Sequence, residues 1–350
     1  MRQRLAPDTF RIPVEEIKKG LYSDCYFLRT SEILLKDNRH PRVMMQVFQR
    51  QQAVVCGLDE AVAILKKCAH NPDRLIIKAL YDGDIVEPWE TVMTIEGDLA
   101  DFSALETVYL GVLSRQTKIA TNVSRCVAAA NGKPVLFFAA RFDPWGVQQS
   151  DGYAAKVGGI YGVSTEANGA YWGAAALGTI PHALIATYGG DTVAATLAFD
   201  RHIDPAVNRV ALVDYDNDCV ATSLAVARAL GDKLWAVRLD TSDTIVDASV
   251  LPQMGTFRPT GVCAQLVRNV RQALDEAGFT RVKIMVSGGF NARRIAEFEA
   301  AKVPVDTYAV GSSLFNDNIN FTADIVMVDG QPCAKAGRSY RPNPRLELVR

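Results

Sequence analysis

Histidine is scarce here, at four residues in 350, and the seven cysteines include no C-x-x-C pair. Their odd number, with no apolar h-region behind the start MRQRLAPDTF, argues against a disulfide framework. Reduced thiols in a cytoplasmic protein are the expectation. No excess of either charge exists, because 38 basic residues face 39 acidic ones for a net charge of -1. Without a basic block, nucleic acid is excluded as the primary partner. The stretch 167–190 has no charged residue, yet Asn168, Pro181, His182 and several glycines break it. A continuous lipid-facing helix is thereby excluded, and no membrane partner is expected. G-x-G-x-x-G in a strand–helix setting and G-x-x-x-x-G-K-[ST] are both missing, which argues against a dinucleotide fold and a P-loop. VDYDNDCVATSLA starts like a calcium loop but lacks glycine at position six and glutamate at position twelve. Its acids serve equally well as caps for the next helix.

What is present is the composition of a globular protein, 49% hydrophobic and 22% charged. The first third mixes a strand-like RVMMQVFQR (42–50), a helical LDEAVAILKKCA (58–69) and a strand-like PWETVMTIEG (88–97). A long helical segment then ends at the Asn-Gly of NGK. A β/α rhythm follows. PVLFFAAR, RVALVDYD, LWAVRLD, VKIMVSGG and TYAVGSS read as apolar strands, with amphipathic runs between several of them. That rhythm predicts a parallel sheet covered by helices, as a barrel or an open doubly wound sheet. The tail FTADIVMVDGQP returns to alternation and is expected to pack on the N-terminal third.

Each strand turns polar at its end, where parallel α/β folds bind ligands. These ends carry Arg141, Asp214 with Asp216, Arg238 with Asp240, Ser287-Gly288-Gly289, and Gly311-Ser312-Ser313. SGGF before a helix and VGSSL in the next unit both offer backbone N–H groups for a phosphate. Either is also a plain turn at a strand end. Their succession suggests a phosphorylated sugar. GTIPHAL (178–184) sets His182 between a proline and an apolar run, where a histidine is often only a core or loop residue.

An ordered set of motifs then resembles the nicotinate phosphoribosyltransferases, in the type II phosphoribosyltransferase group. It comprises YSDCYFLRT, PWETVMTIEG, LETVYLGVL, FFAARFD, GTIPHALI, VRLDT, VSGGFN, VPVDTYAVGSSL and FTADIVMVDGQPCAKAGR, and covers nearly the whole chain. The resemblance implies an α/β fold with an N-terminal sandwich-like domain (1–115) and an irregular parallel β/α barrel (116–318). A C-terminal segment (319–350) would return to the first domain. It also implies coupling of nicotinate to phosphoribosyl pyrophosphate, giving nicotinate mononucleotide and pyrophosphate, with Mg²⁺ and ATP as co-substrate.

Residue by residue, the resemblance implies that His182 is phosphorylated by ATP, with Thr179 and its neighbours fixing the backbone. Asp240 would contact the ribose and a pyrophosphate-bound Mg²⁺. Arg238 and Arg141 would meet carboxylate and phosphate, and Asp214 would lie among the substrate contacts. Ser287, Gly288, Gly289, Gly311 and Ser312 would cradle the 5′-phosphate. Tyr26, beside Asp24, matches a tyrosine that reaches the pyridine of a neighbouring subunit, which implies a homodimer or larger assembly with shared sites. Otherwise it is a core aromatic. Ser164 stands where nicotinamide-using relatives carry an aspartate, and that favours the acid because two carboxylates would repel. Tyr161 departs from the family pattern, since many members have Asp before this Gly. A quinolinate phosphoribosyltransferase-like enzyme and a non-catalytic nucleotide- or phosphate-binding homologue are the alternatives.

Overall fold

RVMMQVF forms strand β1 (Arg42–Phe48) in the computed structural model, which describes residues 2–349. Alternate side chains of a strand share a face, so Val43, Met45 and Val47 all enter one core. Strand β1 pairs antiparallel with β3 (Thr91–Asp98), which in turn pairs with β2 (Ile76–Ala79). Helix α1 (Cys25–Lys36) precedes the sheet, and α2 (Leu58–Cys68) covers it. In α2, Leu58, Ala61, Val62 and Leu65 repeat at helical spacing and are all buried. Asp59 and Glu60 in its first turn, with Lys66 and Lys67 in its last, oppose the helix dipole.

Two compact units divide the chain. The first takes residues up to Ser124, Gln149–Gly159 and the chain from Phe315 onward; the second takes Arg125–Gln148 and Ile160–Leu314. The segment 149–159, inside the span expected for the barrel, groups with the first unit for a clear reason. Most of it is helix α4 (Gln148–Val157), which follows the long α3 (Glu106–Ala129). Arg115 of α3 grips Asp151 bidentately at 2.7 and 2.8 Å, and Tyr153 donates to Asp82 at 3.1 Å.

Asp82 is the most perturbed carboxyl of this unit. Burial, then the neighbouring Asp59 carboxylate, raise it from 3.8 to about 7. The folded state therefore holds this proton more tightly than the unfolded chain does, and stability falls as pH rises from about 4 to 7. The melting temperature is expected to drop on the order of 5 °C between pH 5 and 8. Asp82→Asn should flatten that slope in a pH series of thermal melts; an unchanged slope would move its origin elsewhere.

The second unit is a six-stranded parallel sheet in the order β5-β4-β9-β8-β7-β6. Its strands are β4 (Val135–Phe137), β5 (Gly162–Val163), β6 (Arg209–Leu212), β7 (Leu234–Leu239), β8 (Lys283–Val286) and β9 (Thr307–Val310). The sheet curls into a half-barrel, left open because β5 and β6 do not pair among the described residues. Helix α5 (His182–Thr187) lies on the uncharged stretch, and α6 (Cys219–Leu230), α7 (Ala264–Glu276) and α8 (Ala292–Ala300) link later strands.

The chain then rejoins the first sheet. Strand β10 (Thr322–Val328) pairs antiparallel with β1 and turns through Asp329-Gly330, both at positive φ, into β11 (Gln331–Pro332). An Asp-Gly pair suits such a two-residue hairpin because each position needs φ above zero. Strand β12 (Glu347–Leu348) closes the other edge on β2, giving β11-β10-β1-β3-β2-β12. The antiparallel N-terminal sheet, the parallel half-barrel and the C-terminal return agree with the fold class read from the sequence. Among the described residues, no helix is long and apolar enough to cross a membrane.

Candidate active site

Parallel strands bring all their carboxyl ends to one side of the sheet, and the polar strand ends meet there. Arg141 follows β4, Ser164 follows β5, Asp240 follows β7, Ser287-Gly288-Gly289 follow β8, and Gly311-Ser312 follow β9. Together with Arg238 and His182 they line one cavity of about 510 Å³.

Two backbone turns form one wall. Gly288 and Gly289 have φ of 81° and 74°, in the left-handed region that a side chain disfavours. No acceptor among the described residues takes their N–H groups. Asn291 caps α8 by accepting from the Arg294 N–H at 2.9 Å. The Arg294 guanidinium donates to the Gly288 carbonyl at 2.9 Å and to the Val262 carbonyl at 2.8 Å, and it lies over Phe290. Ser313 ties the two turns together by donating to the Phe290 carbonyl at 2.7 Å. At Gly311 a Cβ would come within 2.8 Å of the Phe142 ring, so a side chain there would displace that ring. Free N–H groups at the start of a capped helix suit an anionic phosphate.

The charged wall is also held from behind. Ser287 Oγ donates to Asp240 Oδ1 at 2.7 Å and is itself buried. The other Asp240 oxygen is 3.8 Å from Arg238 Nη2. Burial pushes the Arg238 guanidinium down from its ordinary value, while Asp240 and Asp214 oppose that. Its Nε is buried with no partner among the described residues, so a donor is open there. Arg141 has no carboxylate partner among the described residues and packs on the Phe142 ring.

His182 opens α5, and its Nε2 is 3.0 Å from Asp214 Oδ1. The adjoining Ile180 and Ile185 are anchored in a small buried cluster with Ala195, Phe199 and Leu212. That anchoring fixes the imidazole, which remains half-exposed toward the cavity. Burial raises the Asp214 carboxyl and the bond to His182 lowers it. With Nε2 engaged by Asp214, Nδ1 is the ring nitrogen left without a partner among the described residues.

Not every residue singled out in the sequence meets here. Thr179 turns its hydroxyl to the Ile180 carbonyl and lines a separate cavity of about 350 Å³. Tyr161 lines that second cavity as well. Asp24 and Tyr26 belong to the first unit, where Asp24 accepts from Thr107 at 2.9 Å and from Tyr26 at 3.3 Å. Tyr26 is 56% exposed, which rules out a core aromatic. The sequence reading passed over Phe138 and Phe142, which add flat apolar surface beside Arg141. FFAARF could have shown them, since aromatics flanking a strand-end arginine suit a planar anionic ring.

No group of three His, Cys, Asp or Glu side chains that could hold a metal occurs among the described residues. Mg²⁺ does not require one, because it commonly binds one or two carboxylates plus substrate phosphates. Asp240 fits that mode as a single carboxylate facing the cavity.

A family model for the quinolinate phosphoribosyl transferase N-terminal domain matches residues 24–117. The nicotinate phosphoribosyltransferase pncB1 of Mycobacterium tuberculosis is 31% identical, over 97% of this chain and 79% of its own length. The crystal structure of nicotinate-nucleotide pyrophosphorylase from Pyrococcus furiosus is 36% identical, with a TM-score of 0.83 over 97% of this chain and 85% of that one. Human nicotinic acid phosphoribosyltransferase shares the fold at a TM-score of 0.70 and 19% identity, covering 89% of this chain and 76% of its own. By sequence across its length, and by a fold that assembles the strand ends just described, this chain belongs to the nicotinate phosphoribosyltransferase family.

Proposed function

We propose that this chain joins nicotinate to phosphoribosyl pyrophosphate, giving nicotinate mononucleotide and pyrophosphate, with ATP hydrolysed through a phosphohistidine at His182. The observation that carries the reading is one pocket holding a helix-capped glycine turn, an arginine pair and a histidine bonded to a buried aspartate. The ring nitrogen of nicotinate supplies the lone pair for the new C1′–N bond as the C1′–O bond to pyrophosphate breaks. No proton has to be removed from that nitrogen, so orientation and charge matter more than a strong base. Arg141, with Phe138 and Phe142 alongside, orients the nicotinate carboxylate and ring. Gly288, Gly289, Gly311 and Ser312 hold the 5′-phosphate, while Asp240, steadied by Ser287, meets the ribose. Mg²⁺, held by Asp240 and the substrate's pyrophosphate, would supply countercharge to the departing oxygens.

For the ATP step, His182 Nδ1 attacks the γ-phosphorus and the bond to the bridging oxygen of ADP breaks. Asp214 stabilises the positive ring through Nε2–H, and water later releases inorganic phosphate. The same reading is of a cytoplasmic salvage enzyme in NAD biosynthesis that works as at least a homodimer. Support for assembly comes from Leu21, Tyr22, Tyr26, Leu28, Ile33 and Leu35, all large apolar side chains exposed within fifteen residues.

A second reading, phosphoribosyl transfer to quinolinate with loss of CO₂, is favoured by the N-terminal family match. One assay separates the two. Purified protein receives phosphoribosyl pyrophosphate and Mg²⁺ with labelled nicotinate or labelled quinolinate, each with and without ATP. Nicotinate mononucleotide formed from nicotinate and stimulated by ATP is the expected result. Product from quinolinate alone, with CO₂ released, would transfer the assignment to the second reading. A folded protein that binds phosphoribosyl pyrophosphate and turns over neither would be a non-catalytic homologue.

A further inference from the structure

Gly289 lines not only the pocket just described but also a further, third cavity of about 690 Å³. Four arginines, Arg258, Arg268, Arg293 and Arg294, surround it, against the two carboxylates of Asp243 and Glu297. Arg293 pairs with Glu297 at 2.9 Å. The other three have no carboxylate partner among the described residues and lean on neutral acceptors. Arg258 donates to Thr260 Oγ1 and the Asp243 carbonyl, Arg268 to the Ala301 carbonyl, and Arg294 to the Gly288 and Val262 carbonyls.

Such a cluster is not inherited from a basic chain, since the net charge is -1. Gathering guanidinium groups without counter-charges is unfavourable, and Arg258, after burial itself, pushes Arg294 below its ordinary value. Helix α7 begins on the same cavity at Cys263, Ala264 and Gln265, and no side chain caps its first turn. Its free N–H groups add to the positive field of the arginines.

We propose that this cavity binds a phosphate-class anion, pyrophosphate or the phosphate tail of a nucleoside triphosphate, separately from the catalytic pocket. Three guanidinium groups without a carboxylate partner call for several negative charges within a few ångströms, and their forked N–H groups match phosphate oxygens. The volume exceeds what a single carboxylate would fill. The inference does not depend on which reaction occurs in the neighbouring pocket.

Isothermal titration of the full chain in Mg²⁺-free, low-salt buffer tests it, with pyrophosphate and ATP in separate arms. Arg258→Gln/Arg268→Gln is compared with wild type and with Arg201→Gln/Arg228→Gln, which removes equal charge elsewhere. Circular dichroism melts confirm that all three proteins are folded. The first variant is expected to lose one binding equivalent per chain, or to bind it at least tenfold more weakly, while the second variant matches wild type. Loss in both arms means that phosphate alone is recognised; loss with ATP only makes a nucleotide the occupant. Equal stoichiometry and affinity in wild type and the first variant would overturn the site. An equal loss in both variants would overturn it too, as an effect of bulk charge.

Discussion

His182→Ala is expected to take up no phosphate from γ-labelled ATP, whereas the wild-type chain acquires an acid-labile, base-stable label. ATP should then cease to stimulate transfer, a loss of roughly 10- to 100-fold in kcat/KM that corresponds to about 1.4–2.8 kcal/mol. Some ATP-independent transfer should survive, because the phosphate turns and Asp240 are built on other strands. Asp214→Asn keeps the shape of the pair but lets an amide N–H face the ring, reversing which nitrogen carries the lone pair. Labelling in that variant should slow by about 10²–10⁴-fold. Label that persists in His182→Ala would assign the phosphorylation to another residue. Labelling of Asp214→Asn at the wild-type rate would show that the 3.0 Å contact does not set the tautomer.

Asp240→Ala is expected to lower turnover by about 10²–10³-fold, the scale on which a charge aimed at the reacting centre contributes. The substitution also releases Ser287 Oγ from its 2.7 Å bond, so Ser287→Ala separates positioning from direct action. A positioning role for Ser287 predicts a smaller fall in kcat with little change in KM. Tyr26→Ala should be nearly inactive as well, for a different reason, if its exposed ring completes the site of a neighbouring copy. Mixed after unfolding and co-refolded, the two inactive chains pair at random and about half the dimers are mixed. Each mixed dimer then holds one intact site and one doubly defective site, so about a quarter of wild-type sites should reappear. Activity equal to the sum of the parents, with subunit exchange verified, would confine the pocket to one chain.

Much of the site was legible because its residues sit at positions that local pattern marks. Ser287 and Gly311 each follow an apolar run that forms a parallel strand, and Asp240 follows one interrupted only by Arg238. Gly288 and Gly289 precede a helix whose Asn291 is an evident cap. Thr179 was placed with His182 by the resemblance, which carries both in one motif, GTIPHAL. The hydroxyl's bond to the Ile180 carbonyl, and its exposure to another cavity, depend on how Ile180 is buried. Arg294 was missed for a comparable reason. It sits mid-helix in an ordinary amphipathic run, and only folding brings the Gly288 carbonyl to its guanidinium.

By itself, the sequence determined the parallel β/α character of 134–313, the return of the tail to strand-like alternation and the identity of the strand-end residues. These follow from short-range physics: apolar runs and periodicity. Tertiary structure alone decided that the parallel sheet stays an open half-barrel, because closure depends on pairing between β5 and β6, far apart in the chain. It also decided that 149–159 joins the first unit, through Arg115–Asp151 and Tyr153–Asp82. The His182–Asp214 bond spans 32 residues and two elements, so no local pattern could announce it. Which nitrogen of that histidine Asp214 engages is therefore a property of the packing of α5 against the end of β6, and not of the motif GTIPHAL.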